Sequence, residues 1–303
     1  MPDLRAHFDF DIRFANGGEL SGTGFRLDVP SADLDASAIG VLLVQHLGLA
    51  LVDTVALRGL RIVEEPHRGS RGIPSAHSAT SRIVDLSHPI REGLVTYPGL
   101  PAPVITPHLT RADSRSKYAP GTEFAMDVIT MIGNTGTYLD GPFHRYADGA
   151  DLAGLDLATL VGLRAEVFHL EDARTPDRRG IRAETLADRD VRGAAVLLHT
   201  GWDRLFGAPE YGTGAPFLTG EAAQLLIDAG AVLVGIDSLN IDDTESGGER
   251  PAHTLLLAAG VHVVEHLTHL ADLPPQGARF TAAPPAVEGF GTFPVRAFAE
   301  LPG

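Results

Sequence analysis

The chain has 303 residues, enough for one large or two medium domains. Its 24 lysine and arginine residues are outnumbered by 39 aspartate and glutamate residues, which gives a net charge of -15 at pH 7. That charge disfavours nucleic acids and anionic membranes as partners, because phosphate groups need a basic surface. Cysteine is absent, so disulfides, thiolate catalysis and cysteine-based zinc sites are excluded.

The chain shows no sign of export or membrane insertion. Residues 1–10 lack the basic segment and apolar run of a secretory signal peptide. The most apolar stretch, residues 38–51, is interrupted by Gln45 and His46 and is too short to cross a bilayer. We therefore predict a cytoplasmic protein.

Residues 1–66 predict a small α/β domain. Apolar residues alternate from Phe8 to Phe14, which is the period of a half-buried strand, and a hairpin-type turn follows at residues 16–18. A second strand, an amphipathic helix ended by Gly48 and a further strand or pair of strands complete a β-β-α-β unit. The unit contains no chemical motif, so we interpret it as a docking or oligomerisation module and expect a homo-oligomer.

Residues 67–81 have the composition of a linker, with few large apolar side chains. From residue 82 to residue 303, buried-type strands alternate with short helices, which predicts an α/β domain with a mixed sheet. We expect strands at 83–90, 104–109, 123–131, 165–170, 194–198, 232–236 and 261–267, and helices at 152–160, 181–186, from 219 and at 255–259.

Residues 132–147 form the most informative stretch. Its glycines and proline break regular structure and favour tight turns, where the backbone can approach a ligand. Within this loop lie Asn134, Tyr138, Asp140, His144 and Arg145. Such a loop suits acid–base or metal chemistry, and it equally suits a polar turn with a capping aspartate.

A second informative segment runs from His253 to Glu265. Alternation from residue 261 to residue 267 predicts a strand in which Glu265 has apolar neighbours on its own face. A buried carboxylate is costly unless it is paired or bound to a metal. We therefore expect this segment to converge with residues 132–147, so that Glu265 and Asp140 share one site.

The stretch 132–147 resembles the His-x-Gly-Thr-His-x-Asp-x-Pro-x-His signature of the cyclase family, which includes bacterial kynurenine formamidase, isatin hydrolase and trans-dienelactone hydrolase. The matching residues are Gly136, Thr137, Asp140, Pro142 and His144. Asn134 and Tyr138 depart from the pattern, because the family has a histidine at each of these positions. The resemblance extends over residues 83–301 and includes the spacing between His253 and Glu265.

The resemblance implies a cyclase-like domain with a swivelling β/α/β fold. It also implies a divalent metal, Zn or Mn, held by Asp140, His253 and Glu265, with His144 as the acid–base residue. The substrates it implies are small formamides, cyclic amides or lactones, hydrolysed by metal-activated water. Because both departures remove imidazole ligands, we expect one loosely held ion or none.

Two alternatives to a metal-assisted hydrolase stay open. Without metal, Tyr138, Asp140 and His144 would polarise a carbonyl and shuttle a proton in a cyclisation, dehydration or isomerisation. The third interpretation is a non-catalytic binding homologue. As substrate-binding residues we predict Asn134, Tyr97 and Trp202, the last of which equally suits a packing role.

Overall fold

The computed structural model describes residues 4–47, 49, 51–64, 82–171 and 178–302. The chain forms two compact units, Met1–Ser78 and Ala79–Gly303, and each is described by itself below. The predicted linker and the predicted helix end at Gly48 lie outside the described residues. The domain boundaries at residues 66 and 82 stay a prediction. No helix among the described residues is long and apolar enough to cross a membrane.

The described part of the N-terminal unit is a three-stranded antiparallel sheet with one helix. Its elements are β1 (Leu4–Phe14), β2 (Glu19–Asp28), α1 (Ala36–His46) and β3 (Val52–Glu64), and the strand order is β2-β1-β3. The predicted alternation is confirmed, since Phe8, Phe10 and Ile12 are all buried. They form the core together with Ile39 and Leu43 of α1. Helix α1 is capped by the Asp35 side chain, which accepts from the backbone N–H of Ala38 at 2.8 Å.

In the described part of the second unit there are thirteen further strands and four short helices. The strands are β4 (Arg82–Asp85), β5 (Val104–Leu109), β6 (Met126–Thr130), β7 (Tyr138–Asp140), β8 (Leu163–His169), β9 (Gly180–Ile181), β10 (Ala194–His199), β11 (Phe217–Leu218), β12 (Leu233–Ile236), β13 (His262–Glu265), β14 (Arg279–Thr281), β15 (Thr292–Pro294) and β16 (Phe298–Leu301). The helices are α2 (Arg111–Ser114), α3 (Ala183–Leu186), α4 (Gly220–Asp228) and α5 (Pro251–Ala258).

Nine of these strands form one mixed sheet in the order β15-β7-β13-β12-β10-β8-β14-β16-β4. The four central strands, β13, β12, β10 and β8, run parallel. Strands β7 and β15 extend the sheet antiparallel beyond β13, on the side where the candidate site forms. The predicted mixed α/β fold is therefore confirmed. Strands β5 and β6 pair only with each other, as do β9 and β11.

The central strands are buried on both faces, as parallel strands usually are. Alternate residues of one strand enter different apolar clusters. Leu197 and Val264 belong to one cluster, whereas Val196, Leu198 and Val263 belong to the other. The polar groups of the site gather where these strands end, rather than in the apolar layers.

Two helix predictions need correction. Residues 152–160 form two 3₁₀ turns instead of one helix, because Asp151 and Asp156 each cap a separate turn and Leu155 between them is extended. Helix α5 begins at Pro251, four residues earlier than predicted. The cap of helix α4 is confirmed, since the Thr219 side chain accepts from the N–H of Ala222.

Candidate active site

The two informative segments converge through the pairing of β7 with β13. The register places Glu265 opposite Tyr138 and Val263 opposite Asp140. These strands end at a cavity of about 320 Å³, a volume suited to a small molecule. Its lining includes Asn134, Tyr138, Asp140, His144, His253 and Glu265.

At the centre of the cavity, one imidazole nitrogen lies between two buried carboxylates. His253 Nε2 is 3.5 Å from Asp140 Oδ2 and 3.6 Å from Glu265 Oε1. Burial alone would raise the pKa of Asp140, but the hydrogen bond from His253 and the charges of His144 and His253 outweigh it, so the pKa is lowered. Asp140 is therefore an ionised carboxylate that faces two histidines.

His253 is oriented from behind by Asp242. One oxygen, Asp242 Oδ2, accepts from His253 Nδ1 at 2.7 Å, and Oδ1 accepts from the backbone N–H of Ala252 at 2.6 Å. Asp242 thus fixes both the imidazole and the first turn of α5. Burial opposes a charge on His253, but its hydrogen bonds to Asp140 and Asp242 raise its pKa to about 10. The three carboxylates around His253, those of Asp140, Asp242 and Glu265, thus stabilise a positive charge at this position.

Glu265 is held by two close donors. Its Oε2 accepts from the Tyr138 hydroxyl and its Oε1 from the backbone N–H of Ile241, both at 2.6 Å. Burial raises the pKa of Glu265 to about 7, although the positive charge of His253 opposes the shift. Burial, reinforced by the charge of Glu265, raises the pKa of Tyr138 well above its usual value. Tyr138 is therefore a neutral donor whose single proton is directed at Glu265.

A relay of buried side chains continues behind Tyr138. His266 Nε2 lies 3.3 Å from the Tyr138 hydroxyl, and His266 Nδ1 lies 2.8 Å from the Tyr211 hydroxyl. Because the Tyr138 hydroxyl gives its proton to Glu265, the Tyr138 oxygen accepts a hydrogen bond from His266 Nε2. The proton of the neutral imidazole is then on Nε2, so His266 Nδ1 accepts from the Tyr211 hydroxyl. Burial lowers the pKa of His266 to about 3, so this imidazole is neutral, as the relay requires.

His144 presents a free nitrogen to the cavity. The Thr292 hydroxyl donates to Asp140 Oδ1 and therefore accepts from His144 Nδ1, at 2.6 Å. This bond selects the tautomer with a proton on Nδ1 and a lone pair on Nε2. Behind the histidine, a Cβ on Gly291 would lie 2.2 Å from the His144 backbone nitrogen. Only glycine therefore allows the chain to pass this close to His144.

Among the described residues, one group of histidine and acidic side chains has the spacing of a metal site. Ligand atoms of Asp140, His144 and His253 all lie within 4.8 Å of one another. Glu265 is outside that group but is 3.6 Å from His253. The geometry thus brings together the predicted ligands Asp140, His253 and Glu265 with the predicted acid–base residue His144.

Two predicted substrate-binding residues lie elsewhere. Trp202 is buried in a separate apolar cluster with Tyr211 and Leu239, and Tyr97 packs against the same cluster. The Trp202 indole donates to the Tyr211 carbonyl at 3.0 Å. Its packing role is thereby explained, whereas substrate binding by Trp202 and Tyr97 stays a prediction. Asn134, in contrast, does line the cavity.

Sequence reasoning missed Asp242 and Thr292, which orient the two histidines. Asp242 lies six residues after the end of β12, in a polar loop where sites are common, so its position carried a signal. Thr292 lies 152 residues beyond Asp140, and nothing in its local sequence points to the site. Two other polar residues follow β12. Asn240 Nδ2 donates to Glu265 at 3.4 Å, whereas Asp237 accepts hydrogen bonds from Thr200 and Gly201.

Known proteins resemble the chain across this region. The profile of a family described as "Putative cyclase" matches residues 84–243. A kynurenine formamidase of Geobacillus thermodenitrificans (strain NG80-2) is 32% identical over 217 residues, which are 71% of this chain and 95% of the relative. A kynurenine formamidase of Bacillus cereus (strain ATCC 14579) is 29% identical over 195 residues, which are 64% of this chain and 86% of that relative.

Solved structures show the same likeness. An isatin hydrolase bound to the product analogue thioisatinate has a TM-score of 0.63 and 25% identity, over 74% of this chain and 93% of its own. A potential metal-dependent hydrolase with cyclase activity has a TM-score of 0.58 and 28% identity, over 73% of this chain and 98% of its own. The family profile spans more than half of the chain and includes residues 132–147. The chain therefore belongs to the cyclase family, and it is a hydrolase of that family.

Proposed function

We propose that this hydrolase opens the C–N bond of a small formamide or cyclic amide, with lactones as related substrates. Relatives named kynurenine formamidase and isatin hydrolase support the substrate class. The observation that carries the proposal is His253 Nε2, held by Asp242 between the carboxylates of Asp140 and Glu265. A histidine fixed through its second nitrogen by a carboxylate is the arrangement of a metal ligand.

The residues present fit one divalent ion. Asp140 and His253 would hold it, with Glu265 as third ligand through Oε1. Bound there, the ion would lower the pKa of a water molecule toward neutrality and so supply hydroxide at neutral pH. Two carboxylates and one imidazole are ligands that suit both Zn and Mn.

His144 would move the proton during hydrolysis. In the tautomer selected by Thr292, its Nε2 accepts a proton from the attacking water as the new C–O bond forms. The same nitrogen then returns the proton to the departing amine as the C–N bond breaks. The products are a carboxylic acid and an amine, so no further reactant is needed.

The metal-independent alternative receives less support from the geometry. It requires Tyr138 to donate a hydrogen bond to the substrate carbonyl. The only proton of the Tyr138 hydroxyl is directed at Glu265, and the side chain is buried. We infer instead that Tyr138 positions Glu265, and that the relay through His266 and Tyr211 holds Tyr138 in place.

A homo-oligomer is also part of the proposal. The ribbon formed by β5 and β6 exposes the apolar side chains of Val104, Ile105, Met126, Val128 and Ile129. Two-stranded ribbons are marginal alone, and exposed apolar patches of this kind mark interfaces. We expect a second copy to cover the ribbon, so light scattering should give a dimer or larger species that Val128→Lys dissociates. A monomeric wild-type protein would contradict this expectation.

Hydrolysis itself is tested with formanilide and isatin. The protein is stripped with a chelator and then titrated with Zn or Mn while product release is followed. We expect turnover that is lost on stripping and returns at one ion per chain. Full turnover in the stripped protein would favour the metal-independent reaction, and failure to hydrolyse either compound at any loading would overturn the proposed function.

A further inference from the structure

Two arginines line the cavity beside the acidic and imidazole groups. Arg145 directly follows His144, and Arg250 lies at the end of the loop that leads into α5. Both belong to the same cavity of about 320 Å³. Neither has a role in the hydrolysis derived above, so their presence needs its own explanation.

Neither arginine is used in an ion pair within the described part of the chain. The Arg145 side chain is exposed, and its Cζ lies 5.4 Å from the centroid of the neighbouring Tyr146 ring. Arg250 is half-buried, and its Nη1 donates to the backbone carbonyls of Glu249 at 2.7 Å and Asp243 at 3.2 Å. These carbonyls anchor one end of the guanidinium without neutralising it. The positive charges of both side chains are thus available to a ligand.

This local charge opposes that of the whole protein. With a net charge of -15, the protein as a whole repels anions from its surface. Inside the cavity, Asp140 and Glu265 also repel them. The two guanidinium groups nevertheless make part of this cavity favourable for an anionic group, because a guanidinium can hold a carboxylate through two parallel hydrogen bonds.

We propose that the substrate of this site is an anion, namely an amide that carries a carboxylate, and that Arg145 and Arg250 bind this carboxylate. The inference rests on the proposed function for the reaction that follows binding. Because Arg145 is adjacent to His144 in the chain, the carboxylate would lie close to the bond that is hydrolysed. The two arginines are then the residues that determine specificity, and neither takes part in bond cleavage.

The first test compares formanilide with 2-, 3- and 4-formamidobenzoate, which share its aryl formamide and add a carboxylate. We expect kcat/KM for at least one isomer to exceed that for formanilide about tenfold, since one good charge-assisted contact is worth about a factor of ten. Arg145→Gln and Arg250→Gln should each lower this ratio, while Arg145→Lys retains part of it. Arg111→Ala, an exposed arginine on α2 outside the cavity, is the matched control and should leave the ratio unchanged.

The second test measures binding without turnover, in metal-free protein so that the carboxylate cannot bind an ion. Benzoate and benzamide are titrated and followed by NMR. We expect benzoate to bind more tightly than benzamide. Arg145→Gln should reduce the ratio of the two dissociation constants, benzamide over benzoate, about tenfold. Equal binding of the two, or a preference that survives in both glutamine variants, would overturn the inference. Failure to hydrolyse any formamide would overturn the proposed function alone, because the binding test stands without it.

Discussion

The two units of the molecule differ in what they bury. In the described part of the N-terminal unit, the buried side chains are apolar, from Ala6 and Phe8 to Leu43. Among its described residues, the second unit buries five carboxylates and four histidines: Asp140, Glu166, Asp237, Asp242, Glu265, His199, His253, His262 and His266. Burying a charge costs several kcal/mol unless hydrogen bonds and opposite charges compensate. The second unit therefore depends on compensating hydrogen bonds and opposite charges that the apolar core of the N-terminal unit does not need.

Buried charge alone, however, does not identify a catalytic group. Asp237 is as buried as Asp140, yet its oxygens accept from Thr200 Oγ1 at 2.6 Å and from the backbone N–H of Gly201 at 2.8 Å. Those bonds close a turn. Asp140 instead faces two histidines and a cavity. The buried carboxylates of the second unit are therefore of two kinds. Some stabilise the fold, as Asp237 does, and others face the cavity, as Asp140 does.

The largest effect is expected from Asp140→Asn, with Asp237→Asn as its matched control. If Asp140 holds the proposed metal ion, its loss should lower kcat/KM at least about 10³-fold, because water activation then fails. Both Asp237 oxygens accept hydrogen bonds, so the amide would turn an NH2 group toward a backbone N–H. Asp237→Asn should therefore cost about 1–3 kcal/mol in unfolding free energy and leave turnover within about twofold. If the Asp140→Asn enzyme kept a tenth of wild-type activity, Asp140 would not have the catalytic importance that distinguishes it from Asp237.

The next effect in size concerns His144. His144→Gln removes the proton carrier and should lower kcat about 10²- to 10⁴-fold, while metal content stays at the wild-type value. His169→Gln, a histidine bonded to His199 at 2.8 Å outside the cavity, is the control. If His144→Gln abolishes metal binding as well, His144 is a ligand and its assignment as the acid–base residue is wrong.

A smaller effect is expected from Thr292→Val, which keeps the shape of the side chain and removes the hydroxyl between Asp140 and His144. Groups that orient ligands typically contribute about 10- to 100-fold, so kcat should fall in that range. Thr292→Ser should restore most of it. The control is Thr281→Val, whose hydroxyl accepts from the backbone N–H of Gly162 at 3.0 Å and lies on another strand. Equal losses in the two valine variants would assign Thr292 a structural role only.

The smallest effect on turnover is expected in the N-terminal unit. Phe10 is buried and its ring centroid lies 5.4 Å from that of Phe25. Phe10→Ala should destabilise this unit by about 3–5 kcal/mol, seen as an earlier thermal transition, while kcat on a formamide stays unchanged. A large fall in kcat at a temperature where the second unit is folded would show that the N-terminal unit takes part in catalysis.

Features that depend on local sequence pattern could be predicted from the sequence. Alternation identified β1, and a threonine in a capping position identified the start of α4. The family signature, with the spacing of His253 and Glu265, identified most of the groups that meet at the cavity. The 3₁₀ turns at residues 152–160 were misread because apolar spacing there suits a helix, whereas two aspartates cap two separate turns.

Contacts between distant segments were beyond local pattern. Thr292 meets Asp140 only because β15 pairs with β7, and His266 reaches Tyr138 only because the backbone after β13 adopts a φ of 56°. The role of Tyr138 depends on that pairing too. The sequence shows only that Tyr138 replaces a histidine of the family signature. In the structure the Tyr138 hydroxyl donates to Glu265 at 2.6 Å.

The most direct test of the central claim is the metal content of the purified wild-type protein, measured by elemental analysis beside formamide turnover of the same sample. We predict one divalent ion per chain at full loading, with turnover proportional to occupancy. The family signature has a histidine where this chain has Tyr138, whose hydroxyl donates to Glu265, so we expect no second ion to be held. Two tightly held ions per chain, or full turnover with none, would contradict the account.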